Sequence, residues 1–163
     1  MNKRTEPSYG HWIELGSTTS RERWDTGGSH NHPMFGGGLV WFYRNLAGMK
    51  ADPLEPGYRH LIFKPQPVDE MEYVSYSQLT PYGEGGISWK NARGTFSMDL
   101  TIPVGCYASV YIPTSHPDRV FEGNENASKV PGILFKEVVD GYALFAVESG
   151  TYHFRVNENM EDL

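Results

Sequence analysis

The rhythm of hydrophobic and polar positions changes near residue 50. Before it, Phe35, Leu39, Phe42, Tyr43 and Leu46 recur at the i, i+4, i+7, i+8, i+11 spacing of a single helical face. Asn31 stands where an N-cap belongs, Pro33 falls in the first turn and Gly48 takes the C′ position. The spacing predicts an amphipathic helix from Pro33 to Ala47. A shorter helical piece from Tyr9 to Leu15 ends at Gly16 in the same way. Residues 51–58 read as a linker from their Pro and Gly content. Beyond them the period shortens. Segments 59–64, 71–79, 86–90, 95–102, 107–112 and 151–156 are short, apolar or alternating, and bounded by Gly, Pro or Asn, as strands are. Segments 135–139 and 142–147 flank Asp140-Gly141, a dipeptide that favours a two-residue type I′ hairpin turn. Residues 157–163 are polar and read as a frayed end. The pattern predicts a mainly β chain, an antiparallel, jelly-roll-like β-sandwich preceded by one or two α-helices. The expected division is residues 1–50 for the helices and 51–163 for the sandwich.

Composition narrows the partners. The 14 Lys and Arg against 20 Asp and Glu give a net charge of −6. An acidic chain without a basic run is a poor nucleic-acid binder. No apolar run is long enough to cross a membrane, so neither nucleic acid nor membrane is an expected partner. The N-terminal residues lack the apolar core of a signal peptide, and the compartment is unassigned. Cys106 is the one cysteine, set in an apolar strand, and reads as an inert buried thiol. His30, His32 and His60 match no strong zinc spacing. No metal and no cofactor are expected.

Candidate chemistry concentrates between the two helical segments. Arg21-Glu22-Arg23-Trp24-Asp25 is followed by Gly-Gly-Ser and Asn31-His32. A carboxylate beside an indole suits sugar chemistry: the ring offers an apolar face to a pyranose and the carboxylate can move a proton. Flanking Arg21 and Arg23 would favour the ionised form of Glu22. Each residue also has a plainer use. Glu22 can belong to a surface ion-pair network, Trp24 can dock a helix, and His32 can cap one. Tyr73, Tyr76, Tyr82 and Trp89 can form a sugar-facing strip or pack a sandwich.

The order of these motifs resembles a known family. Trp12-Ile13-Glu14-Leu15-Gly16-Ser17-Thr18-Thr19, Glu22-Arg23-Trp24-Asp25, Asn31-His32 and Trp41-Phe42-Tyr43-Arg44-Asn45-Leu46-Ala47-Gly48 resemble the end of the catalytic domain of bacterial α-L-rhamnosidases, glycoside hydrolase family 78. Pro56-Gly57-Tyr58-Arg59-His60, Ile62-Phe63-Lys64-Pro65-Gln66-Pro67, Pro81-Tyr82-Gly83 and Ser88-Trp89-Lys90 resemble the β-sandwich that follows it. The resemblance implies the last helices of an (α/α)₆ barrel joined to that sandwich, and a glycosidase that inverts configuration on terminal α-L-rhamnosides. It implies Glu22 as general base, and Arg23, Trp24 and His32 as substrate-binding residues. The general acid belongs to an upstream acidic motif that these residues do not include. Arg21 stands where family members often carry an aromatic. Three expectations follow. The partner is a rhamnose-containing oligosaccharide or glycoside. The chain alone has negligible hydrolytic activity, its alternative role being a non-catalytic carbohydrate-binding or structural sandwich. The apolar stripe from Pro33 to Ala47 promotes self-association.

Overall fold

The computed structural model describes residues 3–69, 71–92 and 94–157. The polar end, residues 158–163, lies outside the described residues. The chain forms two compact units that meet in sequence at Trp41 and Phe42.

In the first unit, helix α1 (Tyr9–Glu14) starts because the Ser8 side-chain oxygen accepts a hydrogen bond from the His11 amide at 3.0 Å. It ends at Gly16, which takes a positive φ as the sequence implies. The second helical run departs from the expected continuous α-helix. It is a 3₁₀ turn over Pro33–Gly36, an α-turn α2 over Gly37–Trp41, and a π-helical turn over Phe42–Ala47 that opens the second unit. The apolar stripe is therefore divided. Leu46 is buried and Phe42 packs against the core of the second unit, whereas Leu39 in the first is 63% exposed.

Among the described residues the second unit holds nine strands: β1 (Met49–Ala51), β2 (His60–Phe63), β3 (Tyr73–Thr80), β4 (Gly83–Ala92), β5 (Thr95–Ile112), β6 (Val120–Glu122), β7 (Glu125–Asn126), β8 (Ile133–Val139) and β9 (Tyr142–Asn157). The chain is mainly β behind a short helical N-terminal segment. The two strands expected at 95–102 and 107–112 are one long strand, and 142–147 and 151–156 are likewise one. Each bends where the register slips. Ile102 pairs with Gly150 and Tyr107 with Glu148, so residues 103–106 of β5 stand against Ser149 alone. Pro103 has no amide to give the ladder there, and a bulge with a bend results.

The bend folds one sheet into two layers. In one layer β3, β4, the first part of β5, the last part of β9, β6 and β7 are neighbours. In the other, β1, β2, the end of β5, the start of β9 and β8 are neighbours. Inward side chains of both, among them Phe63, Trp89, Met98, Leu100, Val110, Phe145 and Phe154, form one buried cluster. This is sandwich packing in which strands pass from layer to layer at bulges. Trp89, 1% exposed, donates its indole N–H to the Leu46 carbonyl at 2.9 Å and anchors the π-helical turn to this core. The β8–β9 hairpin turns on Asp140 (φ 52°) and Gly141 (φ 79°), both left-handed as a type I′ turn requires. Of the four aromatics considered as a strip, Trp89 is core and Tyr76 stacks on Tyr43 with ring centroids 5.3 Å apart, while Tyr73 and Tyr82 are exposed. Cys106 is buried, and burial raises its thiol pKa against the opposing pull of Arg59.

Candidate functional site

The Arg-Glu-Arg-Trp-Asp segment lies in a loop of the first unit that folds back on itself. The Glu22 amide donates to the Ser29 carbonyl at 2.9 Å, and the His32 amide to the Ser20 carbonyl at 2.8 Å. The Ser29 amide donates to Glu22 Oε2 at 2.8 Å. A Cβ at position 28 would lie 2.6 Å from that same oxygen, so Gly28 is the residue that lets the carboxylate settle over the turn. Among the described residues Oε1 of Glu22 has no hydrogen-bond partner. One oxygen orients the group and the other stays available.

The expected ion pairs with Glu22 do not form. Arg21 turns away, its Nε donating to Ser17 Oγ at 2.8 Å and its Nη1 reaching the Thr26 carbonyl and the His30 ring. Arg23 pairs instead with Asp25 at 2.5 Å. The hydrogen bond from the Gly27 amide is the main cause that holds the Asp25 carboxyl below its ordinary range; desolvation opposes it and the Arg23 guanidinium reinforces it. Arg23 and Asp25 are two positions apart, close enough for the guanidinium to be drawn to Asp25 rather than to Glu22.

Trp24 is built into an aromatic cluster. Its ring stacks on Trp12 at 4.4 Å and meets Tyr9 edge-on at 5.4 Å and Phe35 at 4.3 Å. Its carbonyl accepts the Trp12 indole N–H at 3.4 Å. Tyr9 closes the cluster by donating to the Phe35 carbonyl at 2.5 Å. The indole is thus rigidly set, with one face given to Trp12. Glu22, Arg23 and Trp24 line a single open depression of about 340 Å³, together with Asp25, Glu6 and Phe35. The last two were not legible in the sequence: Glu6 lies in a segment without pattern, and Phe35 reads only as part of the helical stripe. His32 does not line the depression. It caps the second helical run in place of Asn31, its Nδ1 accepting from the Met34 amide at 3.2 Å. Among the described residues no three His, Cys, Asp or Glu side chains gather as a metal site requires, and no helix is long and apolar enough to cross a membrane.

A carboxylate held by one oxygen, beside a fixed indole and two further acidic groups in an open hollow, suits proton transfer next to a sugar ring. Known proteins match along the same chain. Residues 1–46 match the family described as the bacterial alpha-L-rhamnosidase 6 hairpin glycosidase domain, and residues 48–127 the bacterial alpha-L-rhamnosidase C-terminal domain. An alpha-L-rhamnosidase of Streptomyces avermitilis is 34% identical over 96% of this chain and 15% of its own length. One from Formosa agariphila is 26% identical over 96% and 18%. Among solved structures, the alpha-L-rhamnosidase from Dictyoglumus thermophilum superposes with a TM-score of 0.83 at 36% identity, covering 97% of this chain and 18% of that one. The Streptomyces avermitilis enzyme, solved in complex with L-rhamnose, gives 0.82 at 33% over 96% and 15%. Fold and matches together place the chain with the glycosidase-domain and C-terminal-domain segments of one protein family. It belongs to the bacterial alpha-L-rhamnosidase family, whose C-terminal portion it represents, and it spans 15–18% of the length of these relatives.

Proposed function

We propose that this chain forms the C-terminal end of an enzyme that hydrolyses terminal α-L-rhamnosides with inversion, and that Glu22 is its general base. In this reading residues 1–50 belong to the helical catalytic domain and 51–163 to the C-terminal sandwich domain. The supporting observation is that Glu22, Arg23 and Trp24 line one open depression, with Glu22 held by a single oxygen. In this reading the free oxygen of Glu22 takes a proton from water as that water attacks the anomeric carbon. The acid that protonates the departing oxygen comes from another part of the barrel, roughly 6.5–9.5 Å away to leave room for the water. Arg23 and the part of Trp24 that lines the depression grip the sugar, and His32 contributes by fixing the loop at the helix start as well as by a bond to a hydroxyl.

The test joins this chain to the remainder of a six-hairpin domain and follows an aryl α-L-rhamnoside by NMR. The first sugar product is expected to be the β-anomer; a first-formed α-anomer, or no turnover, overturns the reading. The 163-residue chain alone is expected to release rhamnose at less than about 1% of that rate, since general acid catalysis contributes about 10²–10⁴-fold.

Self-association has its own support in the exposed Met34, Leu39 and Trp41 of the first unit. Light scattering of the isolated chain is expected to show mass rising with concentration, less so in Leu39→Glu. A constant monomer mass removes the proposal.

A further inference from the structure

The outer face of the second layer of the sandwich brings together a serine, a histidine and an aspartate in a fixed order. β2 and β5 run parallel, pairing His60 with Tyr107 and Ile62 with Ser109, so His60 and Ser109 leave the same face of adjacent strands. His60 Nε2 lies 2.9 Å from Ser109 Oγ. Asp52 Oδ2 lies 2.8 Å from His60 Nδ1, but off the N–H axis, so the two atoms are adjacent without an aligned hydrogen bond. Catalytic hydrogen bonds commonly align only when substrate is bound. A proton on Nδ1, facing the carboxylate, leaves Nε2 to accept from the serine hydroxyl.

The neighbours fix these groups. The Tyr107 ring stacks on the imidazole at 4.5 Å and 19°, and its hydroxyl is within 2.7 Å of both Glu55 carboxylate oxygens. Asp52 Oδ1 accepts from the Leu54 amide at 2.9 Å, and the Asp52 amide donates to the His60 carbonyl at 3.0 Å. The His60 and Asp52 side chains are only 14% and 15% exposed. Beside them a groove of about 340 Å³ is lined chiefly by Tyr107, Leu134, Ala146 and Glu148. Ala146, which lines the groove, is the β9 register partner of Ser109, so the groove lies on the strand next to the serine.

We propose that Ser109, His60 and Asp52 form a second, hydrolytic site that takes short-chain carboxylic esters, with the acyl chain in this groove. The reading is independent of Glu22 and of glycoside cleavage. Ser109 Oγ bonds to the acyl carbon as its proton passes to His60 Nε2. The ester C–O bond then breaks, and the departing alkoxide takes that proton as an alcohol. Water attacks the acyl-serine, gives its proton to the imidazole and releases the carboxylic acid, returning the proton to Oγ.

The experiment treats the 163-residue chain with a fluorophosphonate, maps the adduct by peptide mass spectrometry, and follows hydrolysis of p-nitrophenyl acetate. A single adduct on Ser109 is expected, absent in Ser109→Ala. His60→Gln should slow its formation by about a hundredfold and Asp52→Asn by at least about tenfold, with far-UV circular dichroism unchanged. An unlabelled Ser109, or labelling whose rate ignores His60→Gln in a folded chain, overturns the proposal.

Discussion

Glu22→Gln, in a protein that joins this chain to the remainder of a six-hairpin domain, is expected to lower kcat on an aryl α-L-rhamnoside by about 10²–10⁴-fold. Glutamine is the informative substitution because of what it keeps. Its carbonyl oxygen can still accept the Ser29 amide hydrogen bond that Oε2 accepts at 2.8 Å, so the loop retains its brace. What disappears is the capacity of the second position to take a proton. The fall should therefore appear in kcat with KM nearly constant, the pattern of an interaction made only in the transition state. Glu22→Ala removes the brace as well, and should raise KM and lower the melting temperature besides. Turnover in Glu22→Gln within tenfold of the parent would leave Glu22 as a loop anchor and no more.

Legibility differed between the two units for physical reasons. The hairpin at Asp140-Gly141 was plain, because two adjacent left-handed residues have a narrow sequence signature. The long strands β5 and β9 read as pairs, because Pro103 and Gly150 look like strand ends when the partner strand that carries them through a bulge is unseen. Strands β1, β6 and β7, of three, three and two residues, are too short to show a period. The stripe of Phe35, Leu39, Phe42, Tyr43 and Leu46 has α-helical spacing, yet the backbone passes from 3₁₀ to α to π along it, and within the stripe Leu46 and Phe42 belong to or pack on the core of the second unit while Leu39 is exposed. In the candidate site, contiguous Glu22, Arg23 and Trp24 could be read together, whereas Glu6 and Phe35 join them only through folding. The Asp52, His60 and Ser109 constellation was illegible for the same reason, since 49 residues separate the histidine from the serine that parallel pairing sets beside it.

The second large effect concerns the joint between the helical turn and the sandwich. Gly48→Ala is expected to destabilise the second unit by roughly 2–5 kcal/mol, from two causes of comparable size. Gly48 has φ +92°, where an L side chain costs roughly 1–2 kcal/mol. An added Cβ would also lie 2.3 Å from the nitrogen and 2.4 Å from the Cα of Pro65. Those are backbone atoms that cannot swing aside. The Lys64 amide donates to the Gly48 carbonyl at 2.7 Å, the Gln66 amide to the Asn45 carbonyl at 3.0 Å, and Pro65 is fully buried between them. Overpacking of such a site costs roughly 1–3 kcal/mol. Gly57 separates the two causes: it has φ +110°, and a Cβ added there would meet nothing within 4 Å, so Gly57→Ala carries the strain without the collision. For a chain of this size each kcal/mol lowers Tm by roughly 2–4 °C, and calorimetry should place Gly48→Ala several degrees below Gly57→Ala. Equal melting points would mean that the 64–66 segment yields, and that the close approach of the turn to the sandwich is not what requires glycine at position 48.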